Sequence, residues 1–251
     1  MITLFTFQLS HVELLLLFTV ALLIGMGKTG VHGTGMAAVP VLALVFGGKL
    51  SSGIMLPILC IADIFAVVYY HRHANWSHLL RIFPWAALGV FAGTYIGDQI
   101  DDEIFRFIMG FTILISLSIM VWQERSRAVR VPNLFWLAAV LGILGGFTTM
   151  VGNLAGSMMA LYLLTMRLPK LEFIGTAAWF FLIINLFKIP FHVYIWETIT
   201  FDSFMIDMIT IPAVGLGAVL GIYVVKKIPE TYYRWFIIAT TAMASALMVV
   251  L

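Results

Sequence analysis

Long apolar stretches, separated by short polar segments, make up most of the chain. They fall at 4–26, 35–47, 51–71, 79–97, 104–122, 133–147, 155–166, 171–191, 203–225 and 232–251. Most of them reach the roughly 20 residues that a helix needs to cross the hydrocarbon core of a bilayer. Apolar residues occupy every face of these stretches, which predicts helices that are surrounded by lipid or by other apolar helices.

Three of the stretches are too short to cross a membrane, and each adjoins a polar, glycine-rich break. The short stretches are 35–47, 133–147 and 155–166, and the breaks lie at 25–35 and 145–157. Non-helical backbone at membrane depth is tolerated only where protein surrounds it or where it lines a wet cavity. The pattern therefore predicts two broken or re-entrant helix hairpins.

The composition supports the same class of protein. The chain is 62% hydrophobic and 10% charged, with a mean hydropathy of +1.06. Soluble domains are about 45–50% apolar, so a soluble protein of this length could not bury so much apolar surface. We therefore predict an all-α integral membrane protein in contact with the lipid bilayer.

The first break, "GMGKTGVHGTG" (25–35), looks like a nucleotide-binding loop. A phosphate-binding P-loop would need glycine where Leu22 stands. A dinucleotide site would need a preceding strand and an acidic residue about 20 positions later, and neither is present. We expect no cofactor, no metal and no nucleic-acid partner.

The two halves of the chain repeat one another. Lys49 is matched by Lys170 and His71 by His192 at the same spacing. Each half contains one broken hairpin followed by three full spans. A hairpin returns to its own side of the membrane while three spans change sides, so the halves are predicted to be inverted.

This organisation predicts two inverted repeats joined by a basic linker. The first repeat covers 1–124, the cytoplasmic linker 125–132 and the second repeat 133–251. The fold class is thus a polytopic helical bundle of two inverted repeats, each a broken hairpin plus three full transmembrane helices.

The distribution of basic residues predicts the orientation, because cytoplasmic loops are enriched in lysine and arginine. With the linker inside, the cytoplasmic basic residues are Arg72, Arg81, Arg125, Arg127, Arg130, Arg167, Lys170, Lys226, Lys227 and Arg234. Only Lys49, Arg106 and Lys188 fall outside. Both termini are therefore predicted to lie outside.

The breaks contain groups suited to an anion. A helix that begins inside the membrane presents free N–H groups and a partial positive charge to the cavity. The first break offers Lys28, Thr29, His32, Gly33, Thr34 and Gly35 as substrate ligands, and the second offers Thr149, Asn153 and Ser157. Asn185 and Lys188, one turn apart in a later span, complete the candidate set.

The ionisable candidates each allow two interpretations. A lysine between apolar runs by default indicates a functional site, although Lys28 could instead extend to the cytoplasmic surface. Asp63, in the middle of a span, could pair with a lysine, carry a proton or serve as a structural acid. His32 could donate to an anion or carry a proton, so Asp63 and His32 are the candidates for proton coupling.

Several segments resemble one known family. They are the glycine-rich break leading to "VPVL" (39–42), the segment "LPKLEFIGTAAWFFLIINLFKIPF" (168–191) and the glycine-rich spans at 76–97 and 201–221. Along nearly its whole length the chain resembles the TauE/SafE sulfite exporter family of bacterial membrane transporters. The resemblance implies export of sulfite or small organosulfonates across the bacterial inner membrane, with no chemical step.

Inverted repeats with paired broken helices are typical of secondary transporters, which bind substrate near the midplane. We therefore expect alternating access at a site between the two breaks. The alternatives are an anion channel, or a transporter of another small organic or inorganic anion. An intramembrane enzyme is not expected, and a homodimer is compatible with the glycine-lined helix face at Gly89, Gly93 and Gly97.

Overall fold

The computed structural model describes residues 2–4, 6–31, 34–35, 38–105, 107–109, 111, 118, 135–229 and 232. The predicted linker at 125–132 lies outside these residues, and with it the boundary between the two predicted repeats. Most of the spans predicted at 104–122 and 232–251 also lie outside them. The division into repeats therefore stays a prediction.

The described part of the chain is built from α-helices after a short β-hairpin. In the hairpin, β1 (Ile2–Leu4) pairs antiparallel with β2 (Phe7–Leu9). The helices are α1 (His11–Lys28), α2 (Ala38–Phe46), α3 (Gly48–Tyr70), α4 (Trp76–Gln99), α5 (Phe135–Gly152), α6 (Ala155–Thr165), α7 (Lys170–Tyr194), α8 (Phe201–Ile209) and α9 (Ile211–Lys227). The predicted helical class is confirmed, and the N-terminal hairpin is an addition that the hydrophobic pattern does not predict.

Five of these helices are long and apolar enough to cross a membrane within the described ranges: α1, α3, α4, α5 and α7. Helices α8 and α9 add a sixth span if the bent pair is counted as one, with 48° between the two axes. The prediction of a multi-pass membrane protein is confirmed.

Both predicted breaks interrupt the helices. Helix α1 ends at Lys28, and α2, which begins only at Ala38, has nine residues and is too short to span. In the second hairpin, α5 and α6 are separated only by Asn153 and Leu154. Asn153 has a φ of 57°, in the left-handed region that asparagine enters more readily than most residues. The second break is therefore much shorter than the segment predicted from the sequence.

The two halves of the chain pack on each other in a reciprocal pattern. Helix α1 of the first half packs along α9 of the second, and α5 of the second half packs along α4 of the first. Helices α3 and α7, which occupy matching positions in the two halves, pack against each other. Each half therefore completes the core of the other.

Glycines allow the backbones of these helix pairs to approach closely. A Cβ atom at Gly217 of α9 would collide with the carbonyl oxygen of Leu22 in α1. A Cβ atom at Gly89 of α4 would likewise collide with the carbonyl oxygen of Ile143 in α5. Small residues at such positions are the usual means of tight helix packing in membranes.

The glycine face that is compatible with a homodimer is covered within the chain itself. Gly89 and Gly93 pack against α5, where Met150 contacts Gly93, and Gly97 packs against the ring of Trp196. The homodimer stays a prediction, and this face does not supply its interface.

Two glycines of α9 give a direct test of this packing. We expect Gly217→Ala to destabilise the protein by about 1–3 kcal/mol, because the added methyl group meets the backbone of α1. Gly215→Ala, on the same helix, should be near neutral, since its Cβ would lie 3.5 Å from the ring of Phe65. Unfolding of the purified variants in detergent measures the difference, and equal stabilities would contradict the packing described here.

Candidate functional site

A cavity of about 70 Å³ lies where the two helix breaks approach α3 and α7. A single water needs about 10–15 Å³ of such space, so the cavity has room for a small solute. Its lining residues are Ile24, Gly27, Lys28, Gly35, Met55, Leu59, Thr149, Asn153, Gly156, Ala177, Ala178, Phe181 and Asn185. The structure thus brings candidates from both breaks together with Asn185 of α7.

Lys28, at the end of α1, is held in the interior by an acid of α3. Its Nζ lies 2.9 Å from Oδ1 of Asp63, and only 14% of the lysine side chain is exposed. The Nδ2 amide of Asn185 donates to the second oxygen of Asp63 at 2.6 Å. The same Nζ lies 4.0 Å from the centre of the Phe181 ring, a cation–π arrangement. Asp63 therefore pairs with a lysine, which is one of the three roles predicted for it. The Lys28 side chain is directed into the bundle and is not extended to the surface.

Lys188, on α7, ties that helix to the second break. Its Nζ donates to the carbonyl oxygen of Thr149 at 2.8 Å, to the Thr149 hydroxyl at 3.1 Å and to Oδ1 of Asn153 at 2.6 Å. An ammonium group has three donors, so all of them are used. The side chain is fully buried.

Asn153 connects this lysine to α3. Its Nδ2 donates to the carbonyl oxygen of Ser52 at 3.1 Å and to the Ser52 hydroxyl at 3.4 Å. The Ser52 hydroxyl in turn donates to the carbonyl oxygen of Met150 at 3.3 Å. The left-handed backbone at Asn153 aims the amide at Lys188 and Ser52 together, so a single residue fixes the break between two helices.

When Lys188 is protonated, the charges around the cavity sum to one positive charge. Lys28 and Asp63 neutralise each other, whereas Lys188 contacts only neutral oxygens in the part of the chain that the structure describes. A buried charge is costly unless it is compensated. A small anion in the adjoining cavity would supply that compensation.

Two of the predicted ligands face other parts of the protein. The Thr29 hydroxyl donates to the carbonyl oxygens of Gly25 and Ala218, so it joins α1 to α9. The Thr34 hydroxyl donates to the carbonyl oxygens of Leu23 and Val31, both at 3.0 Å, and does not cap α2. Neither residue lines the cavity.

Other predicted ligands cannot be placed. His32 and Gly33 lie outside the described residues, and so does the side chain of Ser157. The predicted anion-binding and proton-coupling roles of these groups therefore stay predictions.

Several residues of the cavity network are absent from the sequence-based set, among them Ser52, Gly156 and Phe181. Phe181 could have been found from spacing, since it lies four residues before Asn185 and seven before Lys188 on one helix face. Ser52 carries no comparable signal, because only the three-dimensional structure brings it to the second break.

The ionisable groups at the cavity, Lys28, Asp63 and Lys188, all make contacts within the protein. In the ranges described above, no group of three or more His, Cys, Asp or Glu side chains is arranged to hold a metal ion. The acid that borders the cavity, Asp63, is engaged by Lys28 and Asn185. What remains is an apolar pocket with one polar side and an excess positive charge.

The chain matches a known family model over most of its length. The family model described as "Sulfite exporter TauE/SafE" matches residues 16–248. That range includes every residue that lines the cavity. Comparison with curated proteins finds no match.

Proposed function

Because the chain belongs to the TauE/SafE sulfite exporter family, we propose that it exports sulfite or small organosulfonates across the bacterial inner membrane. Membership of a transporter family and the membrane-spanning helices make it a multi-pass membrane transporter protein. The substrate, the outward direction of transport and the alternating-access mechanism are what we propose beyond this.

The observation that carries the proposal is the cavity between the two breaks and its excess positive charge. Lys28, Thr149, Asn153 and Asn185 provide its polar side, and Lys188 lies directly behind Thr149 and Asn153. In surroundings of low dielectric constant, an excess positive charge attracts an anion more strongly than it would in water. Apolar walls next to these groups suit the carbon chain of an organosulfonate.

The reciprocal packing supports alternating access. If α1 moves with α9, and α4 moves with α5, these pairs form two bodies, and the cavity is lined by α1 of the first pair and by α5 of the second. Transporters of inverted repeats change their facing by rocking such bodies around a fixed site. The proposal also includes halves that are inverted relative to each other and chain termini that both lie outside the cell.

Export of an anion needs no additional source of energy. With the cell interior negative by 100 mV, the exit of each negative charge is favoured by about 2.3 kcal/mol. An electrogenic uniporter would therefore concentrate the anion outside.

The experiment that tests this function is efflux from proteoliposomes. We expect wild-type protein to release sulfite or 2-hydroxyethanesulfonate under an imposed potential, with flux that saturates and with countertransport of labelled anion. Flux without saturation or countertransport would favour the channel alternative. No flux of either anion would contradict the proposed substrate class.

A cavity-filling variant tests the location of the site. Gly156 lines the cavity, and a Cβ atom added there would meet nothing within 4 Å. We expect Gly156→Leu to fold normally and to reduce anion flux roughly tenfold, a cost of about 1.4 kcal/mol in binding. Gly156→Ala is the matched control and should retain most of the flux. Normal flux through Gly156→Leu would place the path of the anion elsewhere.

A further inference from the structure

Asp207 is a buried acid that lies apart from the cavity. It belongs to α8, and its residue exposure is 0%. Neither of its carboxyl oxygens has a hydrogen-bond partner among the described residues. It forms no ion pair in the part of the chain that the structure describes.

Within the described ranges, no charged side chain of the helices that pack most extensively against α8 pairs with Asp207. These helices are α3 and α9. Their ionisable side chains are Lys49, Cys60, Asp63, Tyr69 and Tyr70 on α3 and Tyr223, Lys226 and Lys227 on α9, and α8 itself adds Asp202. Among the described residues, none of these side chains forms an ion pair or a hydrogen bond with Asp207.

Several of these groups are engaged elsewhere. Lys49 lies over the ring of Trp196, and Asp63 pairs with Lys28. Lys226 lies over the ring of Tyr69. They are therefore not available to neutralise Asp207 in this arrangement of the helices.

An isolated carboxylate in apolar surroundings is strongly disfavoured, whereas the neutral acid is tolerated. This conformation therefore accommodates Asp207 with its proton bound. Asp63 differs, because Lys28 and Asn185 stabilise it as a carboxylate.

Asp207 also lies at a bend in the helix. Helix α8 ends two residues later, and α9 starts at Ile211 with its axis turned by 48°. The backbone N–H and the hydroxyl of Thr210 both donate to the main-chain carbonyl oxygen of Asp207, at 3.0 and 2.7 Å. A change of this bend would move Asp207 relative to its neighbours and could admit water to the carboxyl group.

We propose that Asp207 is a proton-binding site that couples proton movement to anion transport. The proposal rests on the transport function proposed above and adds its coupling ion. In one conformation the carboxylate takes a proton from water on one side of the membrane, and in the other the acid releases that proton to the opposite side. One proton crosses in each cycle, and the carboxyl group is regenerated.

The test measures protons and anions together in proteoliposomes with the full chain. A pH-sensitive dye is enclosed, and the membrane potential is clamped at zero. The anions are 2-hydroxyethanesulfonate, which carries no titratable proton near neutral pH, and sulfite. The variants are Asp207→Asn, the titratable replacement Asp207→Glu and, as matched control on the same helix, Asp202→Asn.

We expect wild type and Asp202→Asn to change the internal pH as the anion moves. Asp207→Asn should lower the ratio of protons to anions at least tenfold while it retains exchange of labelled anion. Asp207→Glu should keep part of the coupling. The sign of the pH change gives the direction of proton movement.

Three results would overturn the proposal: anion flux without a pH change in wild type, an unchanged proton-to-anion ratio in Asp207→Asn, or loss of anion exchange in both Asp207 variants, which would indicate a structural role. Failure of the transport function itself is distinguishable, because wild type would then show no exchange of labelled anion, whatever the imposed potential or pH gradient.

Discussion

We expect Lys188→Met to lose at least about a hundredfold of the wild-type anion flux. Methionine fills a similar volume but removes the charge that gives the cavity its excess positive potential. Lys188 lies behind the lining residues Thr149 and Asn153, and two unit charges about 6 Å apart interact by about 2.8 kcal/mol at an effective dielectric constant of about 20. The loss of this attraction alone is sufficient for the expected reduction in flux.

The same substitution also affects the second break. It leaves the Thr149 carbonyl and Oδ1 of Asn153 without their donor from α7. An unsatisfied buried acceptor costs about 1–3 kcal/mol, so the variant should also unfold more easily in detergent. Lys188→Arg keeps the charge but cannot place three donors in the same geometry, which separates the two effects.

Lys49→Met is the matched control, since Lys49 lies over the ring of Trp196, which does not line the cavity, whereas Lys188 bonds to the lining residues Thr149 and Asn153. Its flux should stay within about threefold of wild type, a difference of less than 1 kcal/mol. If Lys188→Met transports as well as Lys49→Met, then Lys188 is a structural residue, and the proposed source of anion attraction is wrong.

The elements of this fold could be predicted from the sequence, because their signals are local. Long apolar runs fix the spans, and the polar residues at 25–35 and 145–157 fix the two breaks. The intramembrane residues Lys28, Asp63 and Lys188 stand out because each interrupts an apolar segment. Charged side chains are costly inside a membrane and therefore rare there, so the sequence alone is enough to single these residues out.

The partners of these residues could not be predicted in the same way. That Lys28 pairs with Asp63, and Lys188 with Asn153, depends on the packing of helices that are distant in the chain. The sequence left Lys28 open between a functional and a surface position. Only the contact with α3 decides between them.

The threonines show a second limit of the sequence pattern. Thr29 and Thr34 both fit an anion site by composition, yet their hydroxyls bond to carbonyl oxygens of α1. Threonine in a helix or at its end often bonds to the carbonyl three or four residues earlier, so a polar side chain in a break is not always a ligand. Thr29 makes that bond to Gly25.

Asp207 was missed for a third reason. It follows Asp202 and Ser203 near the start of a span, where acids usually face water or lipid head groups. Nothing in that local pattern shows that its side chain is fully buried. Tertiary packing decides its environment.

The second large effect concerns the Lys28–Asp63 pair. We expect Lys28→Met alone to destabilise the protein by about 3–5 kcal/mol, because it leaves the buried carboxylate of Asp63 without its cation. The double variant Lys28→Met/Asp63→Asn removes both charges and should recover most of that stability. Unfolding in detergent and anion flux are measured for wild type, both single variants and the double variant.

The comparison of stability with flux separates the structure of this pair from its role in transport. If Lys28 binds the anion, the double variant is stable but its flux stays at least tenfold below that of wild type, a loss of about 1.4 kcal/mol or more. Non-additive stabilities, with the double variant better than Lys28→Met alone, confirm that the two charges interact directly. A double variant that recovers both stability and flux would make the pair a structural clamp between α1 and α3. The anion would then be attracted by Lys188 alone.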